Sequence, residues 1–308
     1  MAEKTLKNKK TTLKNKYGLK KIDCVFIIVM LLIPIIHWLV FWLYVNFNSI
    51  LMAFKIPTGD WSMASIQQVL RDLNSPSTSD LLTPIKNTII YFIKDVLMLP
   101  MQLLVAYFLY KKVRGWRFYQ IIFYLPAIVS GVAMANMFIR LVRFDGPIGI
   151  ILGKLGVDPI PNFFKNSDYA TNTILFYSIW MGFGGQMLLF GGALARIPLE
   201  LLESARLDGI TTFKEFIYLI FPLVWGTMST ILILVMAQIF AMNGNILLFT
   251  NGDFKTSTIG FWIFNKVRLG GVAAYNEVAA AGLLFTVVGV PIILFLKWLI
   301  EKVPTVEY

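Results

Sequence analysis

The sequence predicts an all-α, polytopic membrane protein with six transmembrane helices. Of the 308 residues, 57% are hydrophobic and only 15% are charged, whereas about a quarter of the residues of a soluble domain are charged. Six apolar stretches approach the roughly 20 residues that a helix needs to cross the hydrocarbon core of a bilayer. Because these stretches are continuous and do not alternate with polar residues, they disfavour a β-barrel. The predicted spans are residues 24–45, 88–110, 119–141, 173–194, 223–249 and 279–300.

The distribution of basic residues predicts the orientation of the spans. Residues 1–21 carry eight lysines and one glutamate. The loop after the second span contains Lys111, Lys112, Arg114 and Arg117. Since cytoplasmic segments are enriched in Lys and Arg, both segments should be cytoplasmic, and the loops 46–87 and 142–172 should lie outside. The net charge of +11 is thus mostly a topology signal, and a nucleic-acid partner is disfavoured because the basic leader has no interleaved aromatic residues.

The polar loop 196–222, between the fourth and fifth spans, is predicted to begin with a short helix on the cytoplasmic side. Pro198 suits the first position of a helix, and Glu203 lies near the positive end of its dipole. The helix should end at Asp208, because Gly209 can take the left-handed conformation that caps a helix.

A second short helix is predicted in the same loop. Thr212 and Glu215 have the spacing of a capping box, which starts a helix, and Pro222 should end this helix or kink it into the fifth span. In the first helix, the small residues Ser204 and Ala205 allow another protein to approach closely. The loop is therefore predicted to be a helix, a turn and a helix that face a protein partner.

The sequence offers no set of residues for catalysis by this chain. Residues 146–154, GPIGIILGK, have the wrong glycine spacing for a phosphate loop, and Leu155 follows where Ser or Thr is needed. His37 is the only histidine and Cys24 the only cysteine, which disfavours a histidine metal site, a catalytic triad and a thiolate cluster. We therefore predict no catalytic residue, no metal site and no cofactor.

Two ionisable residues lie inside the second predicted span. Lys94 and Asp95 are adjacent, so their side chains leave a helix about 100° apart. This angle predicts that they do not pair with each other.

The loop 196–222 also carries a recognisable pattern. Glu203-Ser204-Ala205 is followed after three residues by Gly209 and after nine more by Leu219-Ile220-Phe221-Pro222. This spacing resembles the EAA motif of ATP-binding-cassette (ABC) importer permeases, EAA-x3-G-x9-I-x-L-P. Ser204, Leu219 and Phe221 replace residues of that pattern, and its glutamate, second alanine, glycine and proline are retained. We call residues 196–222 the EAA-type loop.

Other stretches are similar to the carbohydrate branch of this family, whose loop often reads IP-x-EL-x-EAA-x-IDGA. Its outer FG-x-IN and LTNGGP segments and the small-residue opening of its last span also have counterparts here, although Asp253 and Phe254 stand where Gly and Pro are usual. The similar stretches are residues 196–201, 207–209, 144–149, 248–252 and 275–282.

The resemblance implies a type I ABC importer permease fold in a multi-pass plasma-membrane protein with both termini in the cytoplasm. It divides the chain into a basic leader (1–22), a permease domain (23–302) with a transport core (88–302), and a tail (303–308). The implied partners are a second permease, two cytoplasmic ATP-binding subunits, an extracytoplasmic solute-binding protein, a sugar and the lipid bilayer. The residues that would couple to the ATPase are Glu203, Ser204, Ala205, Arg206, Asp208 and Gly209.

The resemblance also implies that the helices on either side of the EAA-type loop line the path of the sugar. Amide groups can pair with hydroxyls, and aromatic rings can stack on the C–H faces of sugars. Packing between helices is the alternative for each of these residues. The nearly charge-free fourth and fifth spans favour an uncharged saccharide. The candidate path residues are Ser178, Trp180, Gly182, Gln186, Gln238, Met242 and Asn243.

Two other functions remain open at this point. An ion-coupled secondary transporter usually has carboxylates near the membrane midplane, and the spans after the second are nearly free of Asp and Glu. A structural or assembly protein of the membrane would move no solute with ATP.

Overall fold

Five helices of the protein are long and apolar enough to cross a membrane, and a bent helix pair supplies a sixth crossing if it counts as one span. The structure is a computed structural model that describes residues 21–74, 81–242 and 244–304, without the side chains of residues 21–24. The all-α membrane fold is therefore confirmed. The candidate path residue Asn243, nearly all of the predicted leader and most of the predicted tail lie outside the described residues.

The described chain forms fourteen α-helices. Two π-helical segments, Trp38–Tyr44 and Phe216–Ile220, join α1 to α2 and α10 to α11 without a break. The helices are α1 (Lys21–His37), α2 (Val45–Ala53), α3 (Ala64–Asn74), α4 (Leu82–Tyr110), α5 (Trp116–Ile128), α6 (Gly131–Val142), α7 (Pro147–Lys154), α8 (Ala170–Leu194), α9 (Leu199–Leu207), α10 (Thr212–Glu215), α11 (Phe221–Ala237), α12 (Ile246–Phe249), α13 (Ile259–Gly270) and α14 (Tyr275–Glu301).

The largest buried cluster lies between α4, α8 and α11 and extends into the EAA-type loop. Leu103 of α4, Phe190 of α8 and Val224 of α11 are each at most 1% exposed. Leu202 of α9 and Ile220 of the π-helical segment belong to the same cluster. The loop is thus attached to the bundle by buried apolar side chains, which favour a fixed position by the hydrophobic effect.

The third predicted span is not one straight helix. The sequence predicted a continuous span over 119–141, but α5 ends at Ile128 and the chain turns by 108° before it continues from Gly131. Val129 has an extended backbone, with φ −77° and ψ 148°. Pro126 lies in the last turn of α5 and cannot donate a backbone hydrogen bond, and neighbouring protein can satisfy the carbonyl groups that such a break frees in a membrane.

The fifth predicted span begins and ends earlier in the chain than expected, at Thr212–Ala237. The sequence predicted that it reaches residue 249, but α11 ends at Ala237 and a 3-10 turn follows at Ile239–Ala241. Gly244 and Asn245 then take positive φ values of 53° and 59°. Gly and Asn tolerate this left-handed conformation better than other residues do, so the chain unwinds here.

The outer loop predicted over 46–87 is partly helical and covers one end of the bundle. Val69 of α3 is 1% exposed and packs in a cluster with Ala280 and Ala281 of α14. Asn276 donates from Nδ2 to the carbonyl oxygens of Met52 (3.0 Å) and Lys55 (2.9 Å). These contacts hold the loop against the last helix.

The end of α4 that lies far from the EAA-type loop holds the segment before α13. Asn87 donates from Nδ2 to the carbonyl oxygens of Lys255 (2.7 Å) and Ser257 (2.8 Å). The hydroxyl oxygen of Thr88 accepts a hydrogen bond from the backbone nitrogen of Ile259 at 2.9 Å. Phe254 and Lys255 have positive φ values of 56° and 59°, which bulky residues adopt only when surrounding contacts enforce them.

Replacing Asn87 by alanine should destabilise this segment. Two hydrogen bonds are lost and their acceptors lose a partner, so we expect the free energy of unfolding to fall by about 2 kcal/mol. The matched control is Asn136→Ala, because Asn136 is exposed and its side chain bonds, among the described residues, only to Val132 of its own helix. Thermal unfolding in detergent measures the difference, and equal melting temperatures for the two variants would contradict this account.

Candidate functional site

Helix α9 ends in a tight turn, as predicted from the sequence. The backbone nitrogen of Gly209 donates to the carbonyl oxygen of Arg206 (3.0 Å), and that of Ile210 donates to Ala205 (3.2 Å). With φ +73° at Gly209, this is a Schellman motif, in which a left-handed residue closes the helix. The predicted end of the helix is confirmed, whereas Pro198 lies one residue before the first turn and not within it.

The predicted coupling residues form the free surface of this helix and turn. Leu202 points into the core and is 2% exposed. The side chain of Ala205 is half-buried, which leaves a shallow spot on the surface. The exposed members of the set are Glu203, Ser204, Arg206, Asp208 and Gly209. The structure therefore gathers all six predicted residues on one short element, where both charges and small side chains are open to a partner.

Exposed apolar side chains lie beside these polar residues. Leu207 is 89% exposed, Phe213 is 68% exposed and Leu199 is 56% exposed. Leu199 and Leu207 lie on α9, outside the helices that are long enough to cross a membrane, and exposed apolar groups in such a place can mark a contact site for another protein. The sequence analysis missed these apolar residues. Helical periodicity could have indicated one of them, because Leu207 lies five residues after the buried Leu202 and therefore points about 140° away from it.

Glu215 does not have the role that the sequence predicted. Thr211 is the residue that precedes α10, and its side chain makes no capping hydrogen bond. The predicted capping box between Thr212 and Glu215 is therefore wrong. The side chain of Glu215 is instead 2% exposed, and its Oε2 atom lies 2.7 Å from Nζ of Lys111, the residue that directly follows α4. Glu215 therefore pairs with a lysine that is distant in sequence and does not cap its own helix.

Pro222 does not interrupt the second half of the loop. The π-helical segment Phe216–Ile220 leads directly into α11, and Pro222 stands in the first turn of that helix. A π-helical turn changes the backbone hydrogen-bonding pattern, which accommodates the missing N–H group of the proline. Helix α10, the π-helical segment and α11 are thus one continuous helical rod, whereas α9 is separated from it by the turn at Gly209.

Tyr107 completes the contact between the loop and the end of α4. The ammonium group of Lys111 lies 5.0 Å from the centre of the Tyr107 ring. The centre of the same ring is 5.5 Å from that of Phe216, and its hydroxyl donates to the carbonyl oxygen of Thr212 at 3.4 Å. Cation–π and aromatic contacts of this kind stabilise buried charges and fix side-chain geometry.

Part of the predicted sugar path lies on one face of α8. Ser178, Gly182 and Gln186 are four residues apart and therefore line one side of the helix. Ser178 donates to the carbonyl oxygen of Leu175 at 2.7 Å. Gly182 accepts a hydrogen bond of 2.8 Å from Nε2 of Gln102 in α4.

Gln102 is a polar residue that the sequence analysis missed. It is 4% exposed, and its Oε1 atom has no hydrogen-bond partner within the described part of the chain. A buried amide with a free acceptor is costly unless water or a ligand satisfies it. The sequence could have indicated Gln102, because it is an amide residue within an otherwise apolar stretch of the second span.

The other path candidates lie elsewhere. Trp180 packs in an aromatic cluster, with ring centres 6.3 Å from Phe138 and 6.2 Å from Tyr177. Gln238 is exposed at the end of α11, and the carbonyl oxygen of Met242 accepts from the Thr258 hydroxyl at 2.6 Å. The described path residues thus divide between a face of α8, an aromatic cluster and the unwound stretch after α11.

Lys94 and Asp95 form an ion pair inside the second span, so the prediction that they do not pair is wrong. Their charged atoms are 2.5 Å apart, and their side chains are 11% and 31% exposed. The long lysine side chain can bend across the angle between neighbours, and pairing is strongly favoured where the dielectric constant is low. The pair carries no net charge.

Two stretches that resembled outer segments of the family meet at the end of the bundle opposite to the EAA-type loop. Phe144 from the first stretch and Leu248 and Asn251 from the second line one cavity of about 810 Å³. Asn162 and Lys165 add polar groups to its wall. The volume of the cavity lies within the range of ligand-binding pockets, and its wall combines apolar with polar side chains.

No family model matches the sequence. The chain is similar to known permeases: it is 33% identical over 141 residues to the probable ABC transporter permease protein YesP of Bacillus subtilis (strain 168), an alignment that covers 45% of each protein. It is 29% identical over 194 residues to the arabinooligosaccharides transport system permease protein AraP of the same organism, covering 61% of this chain and 60% of the relative. The alignments thus span about half to three fifths of these relatives.

The similarity to solved structures covers more of the chain than the sequence alignments do. A chain of a bacterial ABC transporter involved in the import of the acidic polysaccharide alginate matches with a TM-score of 0.77 and 23% identity, covering 92% of this chain and 97% of that one. A bacterial alginate ABC transporter in complex with an alginate pentasaccharide-bound periplasmic protein matches with a TM-score of 0.75 and 24% identity, covering 89% and 93%. These likenesses establish the fold, and together with the similar permeases they confirm the resemblance to ABC importer permeases that the sequence indicated.

Proposed function

We propose that this chain, which has the fold of an ABC importer permease and sugar ABC permeases among its relatives, is the permease subunit of an ATP-driven sugar importer. It would form the path with a second permease and would pass the movement of cytoplasmic ATPase subunits to the path. One observation carries this proposal. The EAA-type loop presents a short, rigidly attached helix whose free surface combines charged, small and apolar side chains.

The construction of the loop supports a role in coupling. Leu202 and Ile220 attach it to the core of the bundle, so a force on its surface moves the spans and not only the loop. The free surface contains Glu203, Arg206 and Asp208 for polar contacts and Leu207 for an apolar contact. We propose that this surface binds an ATPase subunit, and that Ser204, Ala205 and Gly209 permit the close approach.

The proposed partners follow from the two ends of the bundle and from its sides. An extracytoplasmic solute-binding protein would deliver the sugar at the end that carries the cavity of Phe144 and Asn251. The apolar side chains of residues 25–46 are exposed, which suits lipid and a second permease. In this arrangement the EAA-type loop, the leader (1–22) and the tail (303–308) face the cytoplasm, and the chain is a plasma-membrane protein.

The sugar path would run along the face of α8 that carries Ser178, Gly182 and Gln186, with Gln102 opposite. Amide and hydroxyl groups can exchange hydrogen bonds with sugar hydroxyls. Since Lys94 and Asp95 neutralise each other, this ion pair adds no net charge to the second span. We therefore propose an uncharged saccharide as substrate, and a charged solute that competes better than every neutral sugar would contradict this choice.

The Lys94–Asp95 pair also favours a second candidate function. Ionisable groups within a membrane span often serve ion coupling, so an ion-driven carrier is the alternative. The two functions differ in their energy source. Uptake that stops when ATP is removed but persists without an ion gradient would support the importer, and the reverse would support the carrier.

The proposal is tested by purifying the tagged chain in mild detergent together with the products of its neighbouring genes. We expect an ATPase, a second permease and a solute-binding protein in the purified complex, identified by mass spectrometry. Proteoliposomes that contain this complex should take up a radiolabelled neutral sugar only when ATP is present on the side of the membrane that carries the ATPase subunits. A chain that purifies alone and moves no sugar with ATP would contradict the proposal.

A further inference from the structure

We propose that the buried Lys111–Glu215 ion pair is a positioning element that passes movement of the EAA-type loop to the second span. This inference rests on the proposed importer function. The second helix of the loop, α10, continues into the fifth span through the peptide chain itself, as one helical rod. Its link to the second span is different, because α4 is distant in sequence and is reached only through side chains.

The ion pair is the charged part of that link. The two residues are 104 positions apart, and their charged atoms are separated by 2.7 Å. Their side chains are 17% and 2% exposed, so water screens the attraction little. The second oxygen of the carboxylate, Oε1, is buried and finds no hydrogen-bond partner in the described residues. The lysine is thus the only cation within bonding distance that the described structure provides for this carboxylate.

A buried ion pair is not needed for stability, because well-packed apolar residues of similar volume often stabilise a protein equally well or better. What such a pair provides is a fixed geometry. The Tyr107 ring restricts the lysine from one side, at 5.0 Å from its ammonium group. Glu215 therefore has one defined position relative to the end of α4, and a shift of the loop must move that end.

Helix α4 connects this contact with the opposite end of the bundle. Lys111 and Asn87 are 24 residues apart, which is about 36 Å along a helix. At the far end, Asn87 holds the carbonyl groups of Lys255 and Ser257. Between these two ends, Gln102 donates a hydrogen bond to the carbonyl oxygen of Gly182 in α8. Polar contacts thus attach α4 to the loop, to a path helix and to the strained segment before α13.

Spatial continuity alone does not establish coupling between two sites, so the test removes the pair without removing the packing. In the reconstituted complex, the double variant Lys111→Met/Glu215→Leu replaces the ion pair by apolar groups of similar length. We expect ATPase subunits to remain bound, and sugar transport per ATP hydrolysed to fall about tenfold, a typical size for coupling between sites. Lys111→Arg, which keeps the charge, should retain most of the transport.

The matched control is the exposed pair Lys297–Glu301 near the end of α14, with side chains 43% and 57% exposed and a separation of 3.6 Å. Lys297→Met/Glu301→Leu should leave transport per ATP unchanged. A second readout follows the far end of α4: in a Cys24→Ser background, thiol labelling of Ser257→Cys should respond to ATP in the otherwise unmodified complex. It should not respond when the apolar pair replaces Lys111 and Glu215.

The outcomes separate the inference from the proposed function. A wild-type complex without ATP-driven uptake would overturn the proposed function itself. An active wild type with an equally active apolar double variant would overturn the ion-pair role alone. An apolar double variant that fails to insert or to bind the ATPase would also overturn it, since the pair would then be a folding element.

Discussion

Replacing Gly209 by proline is expected to release the ATPase from the purified complex and to stop ATP-driven uptake. Gly209 has φ +73°, whereas proline is fixed near −65°. The change also removes the N–H group that donates to the carbonyl oxygen of Arg206. Forcing a proline into this conformation costs about 3 kcal/mol. If that cost is borne on binding, the affinity for the ATPase falls about 100-fold. Co-purification and uptake by the same preparation measure the effect.

Gly156→Pro is the control for this experiment. Gly156 also follows a short helix, has φ +87° and has open space where a side chain would be added. Its backbone nitrogen likewise donates to a carbonyl three residues earlier, that of Gly153. It lies in the segment between α7 and α8, away from the EAA-type loop. If both variants lose the ATPase equally, the effect is a general loss of folding and the loop does not bind the ATPase through its turn.

The turn at Gly209 could be predicted from the sequence because it depends on local chemistry. A glycine after a short helix suffices to specify the left-handed cap. The membrane fold could be predicted for a similar reason, since apolar length and composition decide it. Pro198 shows the limit of such reasoning: proline suits the start of a helix, but sequence alone did not fix its position to one residue.

The role of Glu215 could not be predicted in the same way. The capping box was a reasonable local hypothesis, but the partner is Lys111, which folding brings close from 104 residues away. Gln102 and Gly182 are likewise joined only by the packing of α4 on α8. Leaving a buried carboxylate without its partner charge costs more than the roughly 1 kcal/mol that a capping bond contributes, so the contact with Lys111 prevails. Local patterns thus located the loop but not the contacts that hold it.

Replacing Gly184 by alanine is expected to destabilise the bundle strongly, whereas the same change at the next residue should not. A Cβ atom at Gly184 would lie 2.3 Å from the carbonyl oxygen of Phe123 and 3.2 Å from Cα of Tyr124. Both are backbone atoms of α5, so relief requires the two helices to separate. Overpacking of this kind costs about 1–3 kcal/mol, and the melting temperature in detergent should fall accordingly.

Gly185→Ala is the matched control, because a Cβ atom there would meet nothing within 4 Å. Alanine favours a helix over glycine by about 1 kcal/mol, so this variant should melt at the same temperature as the wild type or slightly above it. The comparison also tests the two interpretations of the glycines in the fourth span. A large difference in stability means that Gly184 permits close helix packing. Equal stability, with transport lost only in Gly184→Ala, would instead assign Gly184 to the sugar path and would contradict the contact with α5.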